Sequence, residues 1–519
     1  MKSVLTPQER FTRIPGPKIE RSTFDRSHGY KTTFDAGKLI PIYVDEGLPG
    51  DTFKMNCTIF GRMATPVKPI MDNIFMDVHF FSVPIRLVWD NWVKMNGEQD
   101  NPSDTTDYIM PTLTSTAVTG YAEGSIYDYF GIPTQVPDLE HRSDFFRAMN
   151  LIWNEWYRDE NLQDSVTVRK TDSGDLVSDF DILPRGKRKD YFTSALPFAQ
   201  KADPVTIPLG TSAPVTTDAA EGTDLSIYST VATAGYKNMY VPGASPDNVA
   251  LRSTSSTEAQ SLYADLSSAT AATVNQWREA FQIQVLYEMD ARGGSRYTET
   301  IRAHFGVISP DARLQRPEYL GGYTTRVNIN PISQTSESNT TPQGNLSAIG
   351  TFANGGRGFT KSFTEHEIIL GFISARADLN YQQGLNRMWS RSTRFDFFWP
   401  SLAHLGEQSI LNKEIYAQGT AADDNVFGYQ ERYSDYKYKP SVITGAYRSN
   451  AATSLDVWHL AQDFSALPLL NDTFIEEQPP ISRIVAVPSE PDFLLDVYFN
   501  LTCARPMPTY ALPASLTKL

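Results

Sequence analysis

The chain has 519 residues, with 40% hydrophobic, 12% aromatic and 20% charged residues. That is a globular composition long enough to bury a large core, and it excludes disorder, collagen or coiled coil as a description of the whole. Sixty acids against 46 bases give a formal net charge of −14, which argues against a strongly basic nucleic-acid coat, and two cysteines, Cys57 and Cys503, are too few for a disulfide framework or a four-cysteine metal site.

Residues 1–38 hold eight Lys/Arg and four Asp/Glu, together with Pro7, Pro15 and Pro17. Without clear periodicity, this segment reads as a basic N-terminal arm that becomes ordered on a partner surface. The start of the chain lacks the apolar run of a signal peptide, and the longest apolar stretch, Ile368–Ile373, is too short to cross a bilayer.

From Lys38 the pattern becomes β. Phe53, Met55, Cys57 and Ile59 alternate with Thr52, Lys54, Asn56 and Thr58, the signature of a half-buried strand. Ile74–Val83 repeats it, with Ile74, Met76, Val78 and Phe80 on one face and Asp77, His79 and Phe81 on the other. Phe493, Leu495, Val497, Phe499 and Leu501 do the same near the far end. Shorter candidates are 39–46, 367–374, 394–399 and 481–487. Strands at both ends of a chain, joined in one sheet, mean one domain with long insertions. Between them, 143–160 and 272–292 carry apolar residues at helical spacing, and 84–95 is a shorter helix candidate. These helices are expected to pack on a sheet. Residues 211–273 differ from the rest: 32 of 63 are Ser, Thr or Ala, and six acids face only Lys237 and Arg252. This reads as an inserted surface excursion.

Catalytic signals are weak. Phosphate loops, nucleophile elbows and zinc-protease motifs are missing, and the seven histidines show no ligand spacing. Glu365-His366-Glu367 and Asp423-Asp424 are the nearest approach to a metal site, but neighbours in a strand point to opposite faces. The sharpest charge cluster is Arg185, Lys187, Arg188 and Lys189, able to neutralise phosphates along a nucleic-acid backbone or to form an exposed, acid-paired loop. Arg387, Arg391 and Arg394 flank Trp389 more loosely, and a structural arginine network is the expected role.

Several long blocks carry a resemblance. RSTFDRSHGYKTTFDAGKLIPIYVDEGLPGDTF (21–53), GRMATPVKPIMDNIFMDVHFFSVPIRLVWDNW (61–92), EYLGGYTTRVNINPISQTSE (318–337), the run 358–408, the run 412–445 and RPMPTY (505–510) resemble, in order, the major capsid proteins of small single-stranded DNA phages, the microviruses, and within them the gokushovirus branch. The resemblance implies a mainly β fold: an eight-stranded antiparallel jelly roll of viral capsid type with long loop and helical insertions, occupying 39–519 as one domain. It implies a sixty-copy T=1 shell around circular single-stranded DNA, no cofactor, and no catalytic role. The partners implied are other copies of the chain, the packaged DNA, scaffolding and small DNA-associated viral proteins, and a bacterial surface receptor, in a virion assembled in the host cytoplasm without membrane insertion. Residues 211–273 correspond to the variable insertion, expected to protrude and contribute to host attachment through exposed tyrosines such as Tyr228, Tyr236 and Tyr240. DNA contact is expected from Arg185, Lys187, Arg188 and Lys189 and, in the arm, Arg10 and Arg13. The competing reading is a carbohydrate-binding or carbohydrate-active β-sandwich protein, which would use aromatics and carboxylates on a loop face and would be expected to carry a secretion signal. A stand-alone single-stranded DNA-binding protein is opposed by the −14 charge.

Overall fold

A computed structural model describes residues 20–172, 174–203, 205, 273–308 and 315–510, with the backbone of five short strands between 215 and 264. Two compact units result, Met1–Ala199 with Gly293–Leu519, and Gln200–Arg292.

The first unit is an antiparallel β-sandwich. Its strands are β1 (Ser22–Asp25), β2 (His28–Phe34), β3 (Ile40–Gly47), β4 (Thr52–Met63), β5 (Ile74–Pro84), β6 (Glu318–Arg326), β7 (Asn328–Ser333), β8 (Leu346–Ser362), β9 (Glu367–Ala377) and β10 (Phe493–Arg505). In one sheet β10 lies between β4 and the pair β1 and β2, with β8 beyond β4 and β7 at the far edge. The second sheet runs β6-β5-β9-β3. The sequence ends therefore meet: Val497 is the register partner of Tyr30 on one side and Ile59 on the other.

Alternation explains why β4 and β10 form as they do. Phe53, Met55, Cys57 and Ile59 and, opposite them, Phe493, Leu495, Val497, Phe499 and Leu501 are buried, while the residues between are open or half-open. These side chains meet those of the second sheet in the main core, with Met76, Val78, Phe80, Ile369 and Ile373. The two middle strands of the second sheet are covered on both faces. Phe81 and Val83 of β5 and Ile368, Leu370 and Phe372 of β9 point the other way, into a separate cluster. That two-sided burial is why 368–373 is the longest apolar run in the chain.

The cover comes from the insertion after β5. Helix α1 (Asp144–Ile152) supplies Phe146, Met149 and Ile152, and Trp89 is fully buried beside it with its indole N–H donating to Asp172 at 2.6 Å. The helix expected over 143–160 ends early, in a π turn at Trp153–Tyr157. The turn sets Trp153 to donate to the Pro184 carbonyl at 2.9 Å and Tyr157 beside His79. The helix expected over 84–95 is likewise split into two single turns, Ile85–Leu87 and Trp92–Met95. A third, smaller cluster joins Tyr191 and Phe192 to Tyr381, Ile410, Ile415, Phe427 and Phe474. Both cysteines are buried free thiols.

Two expected strands are turns instead. At 394–399 the Asp396 carboxylate accepts from the Ser392 and Thr393 amides and the Thr393 hydroxyl, which wraps the backbone into a 3-10 turn. At 481–487 the residues that reach the main core are Ile481, Ile484 and Val485, a helical rather than alternating spacing, and the chain turns at Ile481–Arg483.

The second unit holds helix α2 (Val274–Gly293), a three-stranded antiparallel sheet of Ser226–Ser229, Gly235–Tyr240 and Ala250–Ser253, and a pair formed by Val215–Thr217 and Leu262–Ala264. Helix α2 departs from the expected packing on a sheet. Its apolar stripe, Trp277, Phe281, Val285 and Met289, is exposed, and only Ala291 is buried.

Candidate interaction surfaces

The basic run divides by side-chain direction. Residues 185–187 lie extended between two neighbours: the Arg185 amide donates to the Gly37 carbonyl, the Lys187 amide to that of Ile475, and the Glu477 amide to that of Arg185. This pairing turns alternate side chains inward. Arg185 stacks 4.7 Å from the centre of the Tyr157 ring and lies 3.9 Å from Asp77, which also receives the Thr324 hydroxyl at 2.6 Å and the Arg376 Nε at 2.8 Å. Lys187 is 6% exposed; its Nζ donates to the Phe474 carbonyl at 2.6 Å over that residue's ring. Burial pushes the pKa of both cations down. Neither can meet a phosphate without abandoning these partners. Arg188 and Lys189 are half-open, paired with Asp378 and Asp159. Arg10 and Arg13 lie outside the described residues.

Behind the run sits Glu477, a carboxyl that no motif or spacing singles out. It is 2% exposed, accepts the Ala377 amide at 3.1 Å, and burial raises its pKa to about 7. Its neighbours Lys187, Arg376 and Arg185 pull the other way without overcoming burial. His79, hydrogen-bonded to the Tyr157 hydroxyl at 2.9 Å, is held near 4 by burial and then by Arg185, so it is neutral at physiological pH. This is a buried charge network tying two insertions, the one after β5 and the long segment 378–492 between β9 and β10, to the end of β9.

The acidic candidates do not converge. Glu365 pairs with Arg86, His366 lies edge-on to Trp92 and Glu367 is buried in β9, its carboxyl raised by desolvation. Asp423 accepts the Gln418 and Gly419 amides as a turn cap, and Asp424 pairs with Lys413. Among the described residues no group of three His, Cys, Asp or Glu is placed to hold a metal ion.

Arg387, Arg391 and Arg394 are structural. Arg387 donates to Glu414 at 2.9 Å and the Ser409 carbonyl at 2.7 Å, Arg391 pairs with Asp435 over the Tyr436 ring, and Arg394 lies 4.5 Å from the Trp399 ring centre. Next to them is a cavity of about 390 Å³ lined by Tyr191, Tyr381, Leu385, Trp389, Tyr438 and Val442. Trp389 and Met388 of its lining are exposed, Trp389 at 71%, and so are Phe395 at 64%, Leu405 at 61%, Phe397 and Phe398 in the chain that follows. The exposed aromatic belt was visible in the sequence only as aromatic density in 395–399, which strand alternation obscured. In the second unit, Tyr228 and Tyr236 are register partners on neighbouring strands, and Tyr240 pairs with Ala250.

With this geometry in place, comparison with known proteins is specific. Residues 12–515 match the family described as "Capsid protein (F protein)". Capsid protein VP1 of Bdellovibrio phage phiMH2K is 51% identical over 530 residues, covering 98% of both chains. Capsid protein VP1 of Chlamydia phage 1 is 43% identical, covering 98% of this chain and 97% of its own. Capsid protein VP1 of Spiroplasma virus 4 is 34% identical over 97% of each.

Proposed function

Since the chain belongs to the phage capsid protein (F protein) family, we propose that it is the repeating subunit of a T=1 icosahedral shell of sixty copies enclosing a circular single-stranded DNA genome. The strand order supports a jelly roll as the building block. With β1 and β2 taken as one interrupted strand and β7 as an added edge, the two sheets read β2-β10-β4-β8 and β3-β9-β5-β6, so the chain crosses between sheets as two Greek keys wound together do.

The observation that carries the assembly reading is the exposed belt of Met388, Trp389, Phe395, Phe397, Phe398 and Leu405. Six large apolar side chains left this open within 18 residues of chain are more than a surface facing water alone needs, and they suit a surface that another chain covers. Neighbouring copies are that cover. Packaged DNA is met by Arg188 and Lys189, the half-open members of the basic run, and by Arg10 and Arg13, while Arg185 and Lys187 hold the insertions together. The second unit is the outward protrusion, presenting Tyr228, Tyr236 and Tyr240 to a host receptor. Scaffolding and small basic proteins of the virus assist assembly and neutralise the DNA that an acidic subunit leaves unpaired.

Size-exclusion chromatography and negative-stain microscopy of the expressed chain, with and without co-expressed viral proteins, test this. Shells or symmetric sub-assemblies whose absorbance ratio reports nucleic acid are expected. A chain that stays monomeric under every condition would remove the proposal.

A further inference from the structure

The outer face of the first sheet is left open. On β10 it carries Leu494, Asp496, Tyr498, Asn500 and Thr502; on β4, Lys54, Asn56, Thr58, Phe60 and Arg62; on β2, Gly29, Lys31 and Thr33. Register pairs Arg62 with Leu494, Phe60 with Asp496 and Thr58 with Tyr498. Phe60 and Tyr498 are thus diagonal neighbours, close enough for one platform. Both rings are about half exposed, 47% and 52%. Gly29 stands opposite Tyr498 on the other side, so no side chain covers the ring from β2. A groove of about 450 Å³ runs beside Phe60, between Lys31, Thr33, Arg62 and Leu494.

Charge separates this face from the rest of the molecule. The three strands bring Lys31, Lys54 and Arg62 against a single acid, Asp496, which Lys31 already pairs at 2.9 Å. Just past the strand ends, Asp35 lies 3.7 Å from Lys38 and Asp492 accepts the Ala36 amide at 2.9 Å, while Asp25 at the far end of β1 accepts from Ser27. Over the whole chain, by contrast, acids exceed bases by 14. A cationic surface with two adjacent open rings and a border of hydroxyls and amides is the chemistry that holds single strands: bases stack on the rings and phosphates meet the cations, without sequence readout.

We propose that this face binds single-stranded DNA, with bases stacked on Phe60 and Tyr498 and phosphates at Lys54 and Arg62. The assignment rests on the genome-enclosing reading above and makes this sheet the wall that faces the nucleic acid.

The test uses the full-length chain. A fluorescent oligothymidylate of about 30 nucleotides is titrated by anisotropy at two salt concentrations. F60S/Y498S is expected to weaken binding about tenfold or more with the thermal midpoint unchanged, since both side chains point away from the core. K54Q/R62Q is expected to flatten the salt dependence. An oligonucleotide carrying 5-iododeoxyuridine should photocrosslink to peptides containing Phe60 or Tyr498. Variant affinity within about twofold of the parent, or crosslinks that map only elsewhere or only between copies of the chain, would overturn the inference. Particles that contain DNA while these variants bind normally sink this inference alone; a chain that neither assembles nor carries DNA sinks the broader reading.

Discussion

Glu477 shows how one side chain couples this protein to pH. Its carboxyl titrates near 7 in the folded chain because burial disfavours the charge, against 4.5 when solvated. Between those values the unfolded chain has released a proton that the folded chain keeps. Stability therefore falls as pH rises from about 4.5 to about 7 and the penalty is complete above that. The shift corresponds to about 3 kcal/mol as an upper figure, because Lys187 and Arg376 lose a nearby carboxylate when it is neutral. Glu477→Gln preserves an acceptor for the Ala377 amide and removes the ionisation. Denaturant melts should show parent and variant alike near pH 4.5, and the variant more stable by up to about 3 kcal/mol at pH 8. Parallel pH profiles would mean that Glu477 is ionised in the folded chain at every pH tested.

At the scale of elements, legibility followed burial. β4 and β10 announce themselves by alternation because each has one face in the main core, and β5, covered on both faces, still alternates because Asp77 and His79 stand on its second face. β9 is legible as an apolar run for the opposite reason, two covered faces. β1 and β2 escaped because they are edge pieces with few apolar residues; only their pairing with β10 makes them strands, within a segment whose basic charge suggested a free arm. The turn at 394–396 and the π turn after α1 depend on hydrogen bonds, to Asp396 and through Trp153, that periodicity does not encode. The basic run misled in the same way: four cations in five residues look like one patch, yet extended backbone sends Arg185 and Lys187 inward. The composition shift at 211–273 lies within the separate unit Gln200–Arg292. Among the described residues, none from that unit belongs to any of the three core clusters. Replacing 200–292 with a Gly/Ser linker should therefore leave soluble protein whose thermal midpoint stays within a few degrees of the parent's, while host adsorption of particles is lost. Insoluble protein would show that the unit supports the sandwich.

For the whole molecule, the balance to explain is how copies carrying −14 each come together. Like net charges repel at a distance, so attraction has to arise in the contact itself. Trp389, Phe395 and Leu405 are the side chains with most to gain there, being the most exposed of the apolar belt. Covering one such side chain contributes about 2 kcal/mol, roughly a thirtyfold change in the dissociation constant of one contact. Repeated around a closed shell, the loss is multiplied by every copy. The triple variant W389A/F395A/L405A should fold with an unchanged thermal midpoint, because these side chains leave no cavity in the core, and should fail to form shells at concentrations where the parent does so, as read by light scattering and microscopy. Salt separates this mechanism from one built on ion pairs. Screening relieves the repulsion between acidic copies and leaves apolar contact intact, so added salt should promote assembly of the parent. It should not restore the variant, whose deficit is area rather than charge. Parent shells that fall apart as salt is raised would instead place the decisive contacts in interfacial ion pairs.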